Sequence, residues 1–508
     1  MKSIRSLSPA ILSGMLAGLA WQHSSLALLM WIALVPFFYS LFRQTRSRRQ
    51  TWIYGFSFGM VYYGIYFSAL WGLYPMDWLD ISAAVSFWTL LSGMILFSSI
   101  LAFWAGFAAL LIGWLQPNLF RQCLGAACVW TLAEFCQSLS PLGFTGAHLG
   151  VSLYAYPAMI QGASLLGAFW VSALIILVNS FLACALPSSF RKPFRPYPGQ
   201  RLYLMLAVLF FSGNLLAGGL RLSLPSEHSE APVTTAIIQG GLPSTRKWDG
   251  DYLEFCRRQY EAMTLEAGSS RPALIIWPET AVPVQWTANS RLDQMLRNLA
   301  DTTQAQILAG IFYENHNSII LIKPEQSIMQ LYHKQRLAPF GEFLPFKKYL
   351  KPFLSWLEGG KAQYFTLQAG SAMPLLQTDA GPVGSLICFE AMFFDLARSQ
   401  VLAGAESLVV STNDSWFDGT ALQSSLLGQS VFRALENGRY VARASSTGIS
   451  ALIDDRGRIL CLQPAQSSGI LTGSIAPQRQ LTFFTKHGYG MIAGSLILFL
   501  ILSILKKR

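Results

Sequence analysis

The stretch Ala83–Leu115, AAVSFWTLLSGMILFSSILAFWAGFAALLIGWL, contains no Asp, Glu, Lys or Arg. A run this long and this apolar exceeds the roughly 20 residues that cross a hydrocarbon core. Further apolar runs lie on both sides, near residues 9–25, 26–42, 52–74, 122–140, 161–186, 202–220 and 488–505. With the 84–115 run they predict eight spans, the 122–140 run being interrupted by Glu134. That glutamate is either a functional intramembrane acid or an acid near an interface. His148 and its neighbouring glycines read as loop. Composition agrees with a membrane protein: 52% of the 508 residues are hydrophobic and 12% charged, against about 25% charged in soluble domains. That excludes a single soluble domain, a disordered chain and a fibre.

The net charge of +11 raises the question of nucleic acid, and its distribution answers it. Lys2 and Arg5, then Arg43, Arg46, Arg48 and Arg49, then Arg121, then Arg191, Lys192, Arg195 and Arg201, and finally Lys506, Lys507 and Arg508 all fall on one side of an eight-span chain. The loop with Asp77 and Asp80 falls on the other. Basic loops stay cytoplasmic, so both termini are expected in the cytoplasm and residues 222–485 outside it, in the periplasm of a diderm bacterium. The expected organisation is a membrane domain of seven helices over 1–221, an external domain over 222–485 and a last transmembrane helix over 486–508, with no nucleic-acid partner.

The external segment alternates β-rich runs with helical patterns, as a layered α/β domain does. Strands are predicted at Thr234–Gln239, Ala273–Trp277, Gln306–Phe312, Ser318–Ile322, Val383–Ile387, Ser407–Ser411, Tyr440–Ala444 and Ile449–Ile453. Helices are predicted near Asp251–Ala267, Ser290–Thr303, Met392–Ala403 and Ala421–Asn437, and a hairpin at Asp454-Asp455-Arg456-Gly457. The seven cysteines and six histidines show no metal spacing, so no metal and no cofactor are expected. Cys256, Cys388 and Cys461, in the polar half, are odd in number and cannot all pair.

Three places carry chemistry, each at a predicted strand end. Glu279, in Trp277-Pro278-Glu279-Thr280, is placed for general-base work. Lys334 opens the Pro/Gly-punctuated loop His333–Pro345 and can stabilise an oxyanion. Cys388, in Leu386-Ile387-Cys388-Phe389-Glu390, lies where a strand passes into a helix, a setting in which helix N-terminus and cation can lower a thiol pKa. Each has a plain alternative: an exposed turn acid, a solvated lysine, a core cysteine. Together they make a base, a cation and a nucleophile for covalent catalysis.

The Glu–Lys–Cys order in its WPET, HKxxLxPFGE and ICFE contexts resembles the nitrilase superfamily, and with eight spans around it the chain resembles the apolipoprotein N-acyltransferase family. The resemblance covers essentially the whole chain. It implies a nitrilase-like αββα sandwich and a ping-pong reaction. In that reaction an acyl chain leaves a phospholipid, typically phosphatidylethanolamine, forms a thioester on cysteine and passes to the α-amino group of a diacylglyceryl-modified N-terminal cysteine of an apolipoprotein. The same resemblance implies Glu279 as proton acceptor, Lys334 as oxyanion stabiliser and Cys388 as nucleophile. Glu342 and Glu390 are implied as supporting acids, and Trp248 as a substrate-loop residue. Phe389 stands where tyrosine is common, and Gly241 where asparagine is. Apolar segments Phe340–Phe346, Phe353–Trp356 and Trp416-Phe417 are either covers for the thioester or ordinary core. The rival readings are a membrane-tethered amidase with water as second nucleophile, and a non-catalytic lipoprotein-binding module.

Overall fold

The computed structural model describes residues 2–77, 81–139, 143–187, 198–225, 231–242, 251–326, 329–343 and 367–505. The chain forms two compact units, one of residues 1–71, 87–225 and 487–508, the other of residues 72–86 and 226–486.

The first unit is helical. Helices occur at each of the eight apolar runs, and among the described residues four are long and apolar enough to cross a membrane: Ser24–Arg43, Ala83–Trp114, Ala168–Ala185 and Gly199–Ser223. Gly490–Leu505 is a shorter apolar helix. The 52–74 run passes into a 3-10 helix at Ser68–Leu73, and two others are broken within their length. The 26–42 run is broken at Leu34, just before Pro36. Asn179 bridges that break, accepting from Leu34 N at 2.9 Å and donating to Met30 O at 3.0 Å. Backbone polar groups freed inside an apolar bundle need such a partner. The 161–186 run is interrupted at Gly167, whose φ of 77° lies in the left-handed region.

Glu134 is buried in this unit and does not lie at an exposed edge. Its Oε1 accepts from Trp130 Nε1 at 3.2 Å and from Leu149 N at 3.0 Å. The 143–153 segment folds back over it, which brings His148 Nδ1 within 3.8 Å of Oε2. His148, in a stretch without helix or strand as expected, is therefore a buried neighbour of that acid.

The second unit has two sheets. The first runs β13 (Gly469–Ile475), β1 (Val233–Gln239), β2 (Leu274–Ile276), β4 (Gln306–Tyr313), β5 (His316–Ile322), β6 (Gln330–His333), with β3 (Gln285–Trp286) also on β4. The second runs β12 (Ile459–Gln463), β11 (Ser450–Ile453), β10 (Val441–Ser445), β9 (Ser407–Thr412), β8 (Gly381–Ile387), β7 (Leu376–Thr378). Alternation along each strand divides its side chains between two faces. Ile237, Ile276, Leu308 and Leu321 of the first sheet meet Val383, Ile387, Val409 and Ala442 of the second in one core. Ile238, Ile275, Ile307 and Ile320 point the other way, onto helices Tyr252–Gly268 and Arg291–Thr303. Helices Phe394–Leu402 and Ala421–Asn437 pack on the second sheet. The layers are helix, sheet, sheet, helix, as the resemblance implies.

Candidate active site

The site is assembled from strand ends. β2 delivers Trp277, buried with its Nε1 donating to Thr264 Oγ1 at 3.0 Å, and the chain then turns through Pro278 to Glu279. Thr280 has a φ of 44°, so this turn is tight. It lies directly on β4 at Gly310, where any Cβ would meet Pro278 O and come within 2.6 Å of Glu279 Cα. Gly310 is thus the reason the glutamate can lie flat against the sheet.

Glu279 is 7% exposed. Its Oε2 accepts from Asn413 N at 2.8 Å, at the end of β9. Its Oε1 accepts from Asn317 Nδ2 at 2.6 Å and from Lys334 Nζ at 3.4 Å. Lys334 follows β6, is 1% exposed, and lies 2.9 Å from Glu342. Glu342 comes from the turn after Pro339, closed by Phe340 N to Phe343 O at 2.8 Å and by Ala338 N to Glu342 Oε2 at 2.7 Å. Burial disfavours the ammonium, but Glu342 and then Glu279 outweigh it and hold the Lys334 pKa above its ordinary value. The two carboxylates favour the ammonium form of the lysine.

Cys388 begins a short 3-10 helix, Cys388–Met392, and has a φ of 51°. A non-glycine residue held in the left-handed region stores strain, which suits a side chain presented at a sharp strand end. Burial pushes the thiol up to about 12, Glu279 adds to this, and Lys334 opposes it. This corrects the expectation of a lowered thiol pKa. One short turn of helix and one cation, already shared by two carboxylates, do not offset desolvation. The resting nucleophile is a thiol, so a base must take its proton as it attacks.

Glu390 does different work. It is fully buried and receives Ile387 N at 2.7 Å, Gln335 N at 2.6 Å, Arg336 N at 3.0 Å and the Tyr332 hydroxyl at 3.0 and 3.1 Å. One carboxylate therefore ties the strand before Cys388 to the loop after Lys334. Burial raises its pKa to about 7 against those donors.

Five of the expected residues, Glu279, Lys334, Glu342, Cys388 and Glu390, thus converge. Trp248 lies outside the described residues, as do Phe353–Trp356 and residues 344–346. Trp416 and Phe417 are half-buried in a 3-10 turn, Asp414–Phe417. Phe389 packs edge-on against Phe393, with ring centroids 5.0 Å apart. Gly241 has a φ of 67°, and a side chain there would come within 3.1 Å of Ser467 O. The sequence reading missed Asn317, Thr412, Asn413 and Tyr332. Asn317 lies inside β5, two residues before the apolar run Ile319–Ile322.

A sandwich of this layering with a buried Glu and Lys beside a half-buried Cys defines a carbon-nitrogen hydrolase domain, and the Carbon-nitrogen hydrolase family model matches residues 236–480. The Apolipoprotein N-acyltransferase N-terminal domain model matches residues 13–181. Curated relatives carry the name Apolipoprotein N-acyltransferase. The one from Geobacter metallireducens is 28% identical over 96% of this chain and 93% of its own length. Those from Gloeobacter violaceus and Allorhizobium ampelinum are 30% and 31% identical, over 90% and 85% of this chain and 85% and 82% of theirs. The chain belongs to the apolipoprotein N-acyltransferase family.

Proposed function

We propose that this acyltransferase N-acylates apolipoproteins in two half-reactions through a thioester on Cys388. In the first, Glu279 takes the thiol proton and the sulfur attacks the ester carbonyl of a phospholipid, phosphatidylethanolamine being the expected donor. Lys334 holds the tetrahedral oxyanion. Collapse breaks the ester C–O bond, and the departing lysophospholipid oxygen takes the proton back from Glu279. In the second, the neutral α-amine of a diacylglyceryl-cysteine attacks the thioester carbon. Its proton goes to Glu279, the C–S bond breaks, and Glu279 returns that proton to the departing sulfur. Glu342 keeps Lys334 in place, Glu390 holds the two loops together, and Trp248 is assigned to substrate contact. The observation that carries this reading is the buried Lys334 ammonium shared between Glu279 and Glu342. That arrangement leaves a fixed positive charge beside a base and a thiol.

The setting follows the charge pattern. Eight spans, arranged as a membrane domain over 1–221, a catalytic domain over 222–485 and a final helix over 486–508, place both termini in the cytoplasm and the catalytic domain in the periplasm, at the inner membrane. Reporters fused after Trp248 should read periplasmic and those after Arg49 or Arg195 cytoplasmic. A cytoplasmic reading at 248 overturns the topology.

The chemistry is tested by incubating purified protein with phospholipid labelled in its acyl chain. A hydroxylamine-labile adduct on Cys388 that discharges to a lipopeptide amine is the expected result. Discharge to water alone makes the protein a hydrolase.

A further inference from the structure

Asn317 is 3% exposed and stands at the centre of the charge cluster. Its Nδ2 donates to Glu279 Oε1 at 2.6 Å and to Glu342 Oε1 at 2.8 Å. Both amide protons are therefore spent on carboxylates, which fixes the orientation of the side chain: the nitrogen is bound to the two acids, and Oδ1 must find a partner other than them. That Oδ1 is buried and has no hydrogen-bond partner among the described residues. A buried carbonyl oxygen without a donor is costly to keep.

We infer that Asn317 Oδ1 receives an N–H of the attacking α-amine in the second half-reaction, making Asn317 the residue that orients the acyl acceptor beside Glu279.

The two half-reactions differ in what they bring. A phospholipid ester presents only acceptor oxygens at its reacting carbon, and these call for Lys334, not for another oxygen. A neutral primary amine brings two N–H bonds as well as its lone pair. If one N–H points to Glu279, which removes that proton, the second must enter a buried site and find an acceptor. Oδ1 belongs to the same amide that braces Glu279, so acceptor and base are held in a fixed relation. With both N–H bonds engaged, the lone pair is left to face the thioester carbon, which is the orientation that attack requires. A role as brace alone accounts for Nδ2 but leaves Oδ1 unexplained.

This inference rests on the thioester reading above, and its test separates the two. Acyl-enzyme is formed from fluorescent-acyl phosphatidylethanolamine, isolated, and discharged in single turnover to a lipopeptide with either a primary or an N-methylated N-terminal amine. The N-methyl amine has a single N–H, so in the wild type it discharges more slowly. In Asn317→Ala, discharge to the primary amine should fall about 10- to 100-fold further than acylation does, the range expected for one buried hydrogen bond. The preference for primary over N-methyl amine should shrink by about the same factor. Equal slowing of acylation and discharge, with the preference intact, would mean that Asn317 is a brace only and would overturn the inference. Should Asn317→Ala not fold, the wild type still decides: no preference between the two amines also overturns it. Failure of wild type to form any acyl-enzyme overturns the thioester reading instead.

Discussion

Two buried ionic groups lie at strand ends of the same domain and are built on opposite plans. Asp414 and Arg443 form a pair with neither side chain exposed. Asp414 Oδ1 accepts from Thr412 Oγ1 at 2.6 Å, and Oδ2 from Ser445 Oγ at 3.1 Å and from Arg443. Arg443 also donates to Ile449 O at 3.1 Å and Ser430 Oγ at 3.3 Å. One anion faces one cation, and both are fully engaged by hydrogen bonds. A side chain at Gly448 would collide with that carboxylate. The Glu279–Lys334–Glu342 group has two anions for one cation, an adjacent thiol and an open acceptor on Asn317. A satisfied buried pair is a fixture. An unbalanced one has room for a proton to move and for a substrate atom to enter.

Removing the nucleophile should have the largest effect. Cys388→Ser should form no acyl-enzyme and give no product while melting like the wild type, because a hydroxyl gives up its proton far less readily than a thiol. Wild-type turnover in this variant would remove the covalent step. Glu279→Gln comes next, with an expected loss of roughly 10²–10⁴-fold in both half-reactions, the usual span for general acid–base catalysis. Glutamine is not a silent isostere here, since both carboxylate oxygens accept bonds and one would be replaced by a donor facing a donor. Normal acylation with failed transfer would show that another group deprotonates Cys388.

Lys334→Ala should slow acylation by roughly 10²–10³-fold, the cost of one oxyanion donor, with phospholipid binding retained. Lys334→Arg should recover little, because a planar guanidinium cannot replace a compact charge. Normal acylation with weakened lipid binding would make the lysine a headgroup ligand. Asp414→Asn should invert the pattern and have the smallest effect on chemistry. It leaves Arg443 buried and uncompensated, which costs about 3–5 kcal/mol, read as a lowered melting temperature, while acylation per folded molecule changes less than in Lys334→Ala. A greater loss of rate than of stability would move Asp414 into the reactive group.

The charged half of the site was legible because its residues carry their contexts with them. Glu279 and Cys388 each follow a run of apolar strand, and Lys334 and Glu342 lie in a loop punctuated by Pro and Gly. Helix Ala421–Asn437 was legible to the residue, since Thr420 caps its start and Gly438, at a φ of 61°, ends it. Strands β3, β6, β7, β12 and β13 were not read. β7 has only three residues, β12 alternates half-buried with exposed positions, and β13 contains two glycines, so none has the continuous apolar run of a central strand. Asn317 and Thr412 were invisible for another reason. Their chemistry comes from neighbours distant in sequence: Asn317 reaches Glu279 across 38 positions. Thr412 comes beside Cys388 because Ser411 pairs with Ile387 in the parallel register of β8 and β9.

The pairing of β1 with β13 has a consequence for the order of events at the ribosome. Val233 faces Ile475 and Gln239 faces Gly469 along the whole strand, so the first strand made in this domain is bordered on one side by the last. Until residue 475 has emerged, β1 offers an open row of amides and carbonyls, the kind of edge on which chains pair wrongly. Domains made vectorially complete themselves as their contacts become available. Here a nascent chain that already holds Glu279, Lys334 and Cys388 still lacks the strand that seals the sheet beside them. A polypeptide cut short before Gly469 would carry every reactive group and still be left with an open sheet, a hazard to itself before it was of use to any substrate.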